Sequence, residues 1–211
     1  MAVIHKLGSP YLTYLSGIVR NRESGPSEIR DALLRLGEEV GSSILAECFL
    51  RQTTITTPME EHVESLAATK DLSVVITTRF DLETFGSTLS ASLVPSKLGF
   101  MNFEGRRGFD ALNSPVREIE LPDLRNRTVD SVVIAKSCLA TGCTAVSLAR
   151  TALQEYMPRR MILVAVFYSL AGLRELEDSF PHSEIFVVGE PDEIDGEGIL
   201  HPGVGLLEAR M

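Results

Sequence analysis

Apolar positions along the chain change period, and the change divides the sequence. From Ser27 to Cys48 the residues Ile29, Leu33, Leu36, Val40, Ile44 and Cys48 recur every three or four positions. That spacing predicts an amphipathic helix, with Ser27 as N-cap after Pro26. Residues 1–26 read as irregular around the breakers Gly8-Ser9-Pro10 and Gly25-Pro26, with a short helix between them over Tyr11–Val19. Gln52–Thr57 is β-branched and polar and ends at Pro58, which predicts an extended arm.

Beyond the arm, short apolar runs alternate with helical segments. Strands are predicted at Leu72–Ile76, Leu98–Phe103, Ser131–Ala135, Met161–Tyr168 and Glu184–Val188. Helical pieces fall around Leu82–Leu93, Ala145–Tyr156 and Ala171–Ser179. Alternation of this kind predicts an α/β protein with a mostly parallel sheet covered on both faces. The acidic stretch Glu190–Glu197 reads as a solvated loop.

Composition narrows the function classes. Of 211 residues, 44% are hydrophobic and 23% charged, enough for a sizeable core. A net charge of -9 lacks the basic footprint of a nucleic-acid surface. The pairs Arg106-Arg107 and Arg159-Arg160 read either as small anion sites or as solvated charge. No apolar run reaches the roughly 18 residues of a membrane span, and no signal-peptide pattern opens the chain. Cys48, Cys138 and Cys143 are odd in number, so at least one thiol is free, which points to a reducing compartment, the cytoplasm. The four histidines are scattered, and neither they nor the cysteines have metal-ligand spacing, so no metal site is expected from the side chains.

The candidate chemistry lies in Val132–Thr144. An apolar strand runs through Lys136 into Leu139-Ala140-Thr141-Gly142-Cys143-Thr144, and a helix begins at once. Free amides at a helix start attract an anion, Gly142 permits close backbone approach, and the Thr141 and Thr144 hydroxyls can donate. Small residues in a strand-to-helix turn give the same pattern without a ligand.

Leu139-Ala140-Thr141-Gly142 with Thr144 resembles the phosphoribosyl-diphosphate (PRPP) loop of uracil phosphoribosyltransferases, Asp-Pro-Met-Leu-Ala-Thr-Gly-Gly-Ser. In the same order, His5-Lys6-Leu7, Glu38-Val40-Gly41, Thr57-Pro58, Phe180-Pro181 with Ile185-Phe186, and Gly198–Gly205 resemble further segments of that family. The resemblance covers nearly the whole chain. It implies one type I phosphoribosyltransferase-like domain over 1–211, with a parallel sheet of about five strands. Residues 1–66 would form an N-terminal helix and arm, 67–189 the core, and 190–211 a small hood that recognises the pyrimidine. The implied reaction joins uracil to PRPP, giving UMP and diphosphate with Mg²⁺ assistance, in a homodimer or higher homo-oligomer. Arg79, Ala140, Thr141, Gly142, Cys143 and Thr144 would hold the phosphates, and Ile199, Leu200, His201, Gly203 and Gly205 the uracil, mainly through the backbone of Ile199, His201 and Gly205.

Four ligand-facing positions depart from the family. Lys136 stands where an Asp holds the ribose hydroxyls. An ammonium only donates, and it opposes a cationic transition state by about 3 kcal/mol at about 5 Å in an effective dielectric of about 20. It would favour a bound phosphate, or snorkel to solvent. Phe80 and Asp81 replace a small Ala-Gly pair, and Asp81 would repel diphosphate or cap the next helix. Asn102–Arg107 alters the flexible loop, with Arg106 or Arg107 as substitutes for its Arg, and Gly205–Arg210 alters the C-terminal motif. These changes imply an alternative to the active enzyme, a catalytically impaired paralogue that binds a nucleotide as a regulatory or partner subunit. An enzyme of another class on the same scaffold is a third reading.

Overall fold

The structure, a computed structural model, describes residues 1–103, 116–124 and 128–211. Its centre is a seven-stranded sheet in the order β1-β9-β8-β7-β4-β5-β6. The strands are β1 (Val3–Leu7), β4 (Ser73–Thr78), β5 (Ser96–Phe103), β6 (Val116–Glu120), β7 (Ser131–Leu139), β8 (Arg160–Tyr168) and β9 (Glu184–Val188). All pair in parallel except β6, which runs antiparallel to β5. The sheet is therefore wider than the expected five strands. One addition is β1, inside the segment expected to be irregular; its five residues are mostly exposed and too short to show a period.

Alternation along the strands explains the two cores. Val133, Ala135, Ile162, Val164 and Phe186 pack on one face with α1 (Pro10–Arg20), α2 (Pro26–Ile44) and α4 (Phe85–Ser92). Val132, Ile134, Leu163, Ala165 and Ile185 pack on the other with α5 (Cys143–Tyr156) and α6 (Leu170–Ser179). Because both faces are covered, β7 and β8 are apolar almost throughout, as parallel strands require. Gly37 and Gly41, one turn apart on α2, face α4 so closely that a Cβ on Gly37 would collide with the Phe85 carbonyl. That absence of side chain sets the spacing of the two helices.

Helix ends follow local chemistry. Ser9 caps α1 by accepting the Leu12 amide at 3.1 Å. The α2 N-cap is Gly25 and not Ser27: Pro26 takes the first helical position, and Glu28 reaches back to accept the Gly25 amide at 2.8 Å. The helix expected to reach Cys48 ends at Ile44 and continues as a π-helical turn, Leu45–Phe49. The extended arm is β2 (Leu50–Thr56), which folds back on β3 (His62–Ala68) as an antiparallel hairpin with largely exposed side chains.

The acidic stretch expected to be a solvated loop is partly structured. β10 (Glu193–Ile194) pairs with β11 (Leu200–His201), and Asp192 is buried. No described helix is long and apolar enough to cross a membrane.

Candidate active site at the carboxyl ends of the strands

The chain goes from β4 outward to β5 on one side and returns to β7 on the other, so strand order reverses between β4 and β7. Open α/β sheets bind ligands at such a point, beyond the carboxyl ends of the strands. Pairing of β4 with β7 stops at Ile76 and Ile134, and the Thr77 hydroxyl then takes the Ala135 carbonyl at 2.7 Å. Past that bond the two chains diverge and a crevice opens.

The crevice contains a cavity of about 330 Å³. Ala140, Thr141, Gly142 and Thr144 line one wall, and Ile199, Leu200 and Gly205 another. The two segments are distant in sequence and close in space: a Cβ on Gly198 would stand 3.6 Å from Thr141 Cγ2. Gly142 has φ +82° at the N-cap of α5, and the first helical bond runs from the Val146 amide to its carbonyl. The amides of Cys143, Thr144 and Ala145 precede that bond and lack intrahelical acceptors, the arrangement an anion needs.

Neighbours brace the loop. Ser169 donates to the Ala140 carbonyl at 2.5 Å and accepts the Gly172 amide at 2.9 Å. A Cβ on Gly142 would lie 2.9 Å from the Gly172 carbonyl, so α6 is pressed against the loop. Ser169 and Gly172 went unread in the sequence, although a Ser after an apolar strand is a cap signal.

Other predicted residues lie elsewhere. Cys143 is buried behind the loop, away from the cavity lining. Arg79 lies outside the lining too; its guanidinium sits 5.0 Å over the Phe100 ring and 4.0 Å from Glu83. His201 leaves the cavity wall and pairs with Asp195, Nε2 to Oδ2, at 2.7 Å. Gly203 is also outside; its carbonyl accepts from Arg20 at 3.0 Å. The Ile199 amide donates to Asp195 Oδ1 at 2.9 Å, and its carbonyl accepts the Asp195 amide at 3.0 Å. Both backbone groups of Ile199 are thus engaged within the hairpin. Arg106 and Arg107 fall outside the described residues, as does most of the altered segment Asn102–Arg107. Arg159 is 3.9 Å from Asp130 and Arg160 3.2 Å from Glu184, so that pair is already matched by carboxylates.

Lys136 and Asp81, two of the departures, meet. Lys136 Nζ is 2.7 Å from Asp81 Oδ2 and 3.0 Å from Thr78 Oγ1. Asp81 is fully buried and the Lys136 side chain is 13% exposed. The lysine does not snorkel to solvent, because a buried carboxylate needs a cation beside it. Asp81 sits in the short turn of helix Arg79–Leu82 and does not cap α4, whose N-cap Thr84 has no side-chain cap. Asp81 Oδ1 has no hydrogen-bond partner among the described residues, which makes this carboxylate dependent on Lys136.

Cys138 lines the cavity, but burial first and the Asp81 charge second push its thiol up to about 12. All three cysteines are free. Among the described residues no group of three or more His, Cys, Asp or Glu is placed to hold a metal. The carboxylate of Asp81 is occupied by an ammonium, so these side chains do not form a Mg²⁺ seat. The ion is compatible with this site only where substrate phosphates supply its ligands.

A mostly parallel sheet covered by helices on both faces, with a crevice where strand order reverses between β4 and β7, is a type I phosphoribosyltransferase fold. The family model for uracil phosphoribosyltransferase matches residues 7–210, and the chain belongs to that family. Among curated relatives, the uracil phosphoribosyltransferase of Thermococcus sibiricus is 24% identical over 200 residues, 93% of this chain and 84% of the relative. That of Natronomonas pharaonis is 25% identical over 210 residues, 96% of this chain and 91% of the relative. A solved protein from Aquifex aeolicus superposes with a TM-score of 0.79 at 24% identity, over 99% of this chain and 97% of the other, a likeness of fold.

Proposed function

We propose that the cavity holds a pyrimidine phosphoribosyl compound, its 5′-phosphate on the amides and hydroxyls of Ala140–Thr144 and its base against Gly198–Leu206. On this reading the chain works in pyrimidine salvage, joining uracil to PRPP to give UMP and diphosphate, with Mg²⁺ carried in on the diphosphate. The observation that carries it is the convergence of the anion loop and the C-terminal segment on one cavity. The protein's groups position the phosphate and exclude water from the apolar floor formed by Leu139, Leu200 and Val204. The exposed β2–β3 hairpin is consistent with assembly of two or more copies, and the free thiols with a cytoplasmic setting.

The Lys136–Asp81 pair favours a second reading. Here the cavity keeps UMP without turnover, and the protein acts as a regulatory or partner subunit. Calorimetric titration with UMP, with uracil and PRPP turnover followed in the same preparation, separates the two. Binding with turnover supports the enzyme, and binding without turnover the second reading. If UMP does not bind, the assignment of the cavity is wrong.

A further inference from the structure

We infer that Arg210 is a positioning residue that clamps the C-terminal turn to the end of α1 and so holds that turn in place as the movable wall of the cavity. Release of the clamp lets a ligand in and out. The inference rests on the cavity being the ligand site, and it names the element that governs residence there.

The turn is α7 (Leu207–Arg210). With the residue before it, α7 supplies Leu206, Leu207, Glu208 and Ala209 to the cavity lining. Leu207 is its one buried residue, packed in the same core as Val204, while Leu206 and Glu208 are exposed. A single helical turn is not held by its own backbone bonds, because nucleation is costly, so its place depends on what tethers it. The facing walls are of another kind. Lys136–Leu139 end β7, and Thr144 and Ala145 open α5, both of them built into the sheet and its cores.

Arg210 provides the tether. Its guanidinium donates to the Val19 carbonyl at 2.6 Å and the Asn21 carbonyl at 2.7 Å, at the carboxyl end of α1, and to the Val204 carbonyl at 2.7 Å. Carbonyls at a helix C-terminus lack intrahelical donors and carry the negative end of the dipole, so a forked cation suits them. Arg20 bonds in the opposite direction, from α1 to the Gly203 carbonyl, ahead of the lining turn. Gly205, at φ +67°, lies between the two anchors, a conformation that favours glycine. Loss of Arg210 therefore frees the residues after Gly205, while Arg20 keeps those before it.

Two measurements on the full chain test this. One is UMP dissociation from the immobilised protein, followed by surface plasmon resonance. The other is iodoacetamide labelling without ligand, assigned to each cysteine by mass spectrometry. In Arg210→Ala, UMP is expected to leave about tenfold faster, on the order of one lost charge-assisted hydrogen bond. Cys138, at the cavity wall, is expected to label faster by about the same factor. Cys48, buried against Glu184 at the amino end of β9, is expected to keep its rate. An arginine that only stabilised the fold would speed both thiols together when removed. Arg210→Lys is expected to fall between, since an ammonium lacks the fork that joins α1 to the turn. An unchanged UMP dissociation rate, or equal acceleration of Cys138 and Cys48, overturns the inference and leaves the site standing. If the unaltered protein does not bind UMP, the site reading fails, and the labelling of Cys138 against Cys48 then decides the clamp by itself.

Discussion

His201 Nε2 lies 2.7 Å from Asp195 Oδ2, so the histidine of the C-terminal segment is tied to its own hairpin. The other oxygen of Asp195 accepts the amides of Glu197 and Ile199, each at 2.9 Å. One exposed carboxylate thereby organises the turn that presents Gly198, Ile199 and Leu200 to the cavity.

The Ile199 amide first, and then His201, hold the Asp195 carboxyl below its usual range. A depressed pKa means the turn is stabilised above the unfolded aspartate value, about 3.9, and loses that stabilisation as pH falls through the folded value. Amide resonances of Glu197 and Ile199 should hold steady from neutral pH to about 4 and move only in stronger acid. Asp195→Ala should weaken UMP binding at neutral pH, whereas His201→Val should weaken it less, because the amide bonds survive.

Arg20 connects α1 to the C-terminal segment. It donates to the Gly203 carbonyl at 3.0 Å, lies 3.0 Å from buried Asp192 Oδ2, and stacks 4.9 Å over Phe167. That oxygen has no aligned donor among the described residues, so proximity of the charge is what compensates it. Arg20→Ala leaves the carboxylate unpaired and is expected to destabilise by about 2 kcal/mol, less than a fully buried pair because Arg20 is partly wet. Urea unfolding measures the loss. Arg20→Lys should recover only part of it, since an ammonium cannot stack as guanidinium does.

Gly172 tests how the turn Leu139–Thr144 is supported. A Cβ there would lie 2.5 Å from the Ala140 carbonyl and 3.0 Å from that of Leu139. Gly172→Ala should push α6 and the loop apart, costing about 1–3 kcal/mol as other overpacked sites do. UMP affinity should fall further than that of a matched destabilising variant in α2, such as Val40→Ala, when both are titrated under folded conditions.

Cys138 and Cys48 should resist alkylation. Both thiols are pushed up to about 12, by burial first, with Asp81 next at Cys138 and Glu184 next at Cys48. At pH 8 the thiolate is scarce, so iodoacetamide should label the native protein slowly and the urea-unfolded chain quickly. Fast labelling of native Cys138, which is half-buried at the cavity wall, would contradict its raised pKa.

Periodicity carried the core well, because covered parallel strands must be apolar throughout and surface helices must repeat every three to four residues. The strands through Val132, Ile162 and Ile185, and the helices through Leu36 and Leu148, were legible for that reason. β1, β10 and β11 were not. They are two to five residues long and exist only because a neighbour supplies the other half of each hydrogen bond.

The strand-to-helix turn Leu139–Thr144 was legible because its pattern is local: a strand, small residues, and a helix start follow one another directly. What Lys136 does was not, since its partner Asp81 is 55 residues away along the chain. Read singly, Lys136 opposes a cationic transition state while favouring phosphate, and Asp81 repels diphosphate; as a buried pair, the two charges cancel. Likewise, the sequence pointed to the Ile199 backbone as a base reader, and the hairpin bonds to Asp195 engage it. The sequence by itself therefore determined the layers, the family and the strand-to-helix turn Leu139–Thr144, which rest on local pattern and order. Only the tertiary structure decided which charges are neutralised and which donors remain free, because those depend on distances between segments the chain order does not encode.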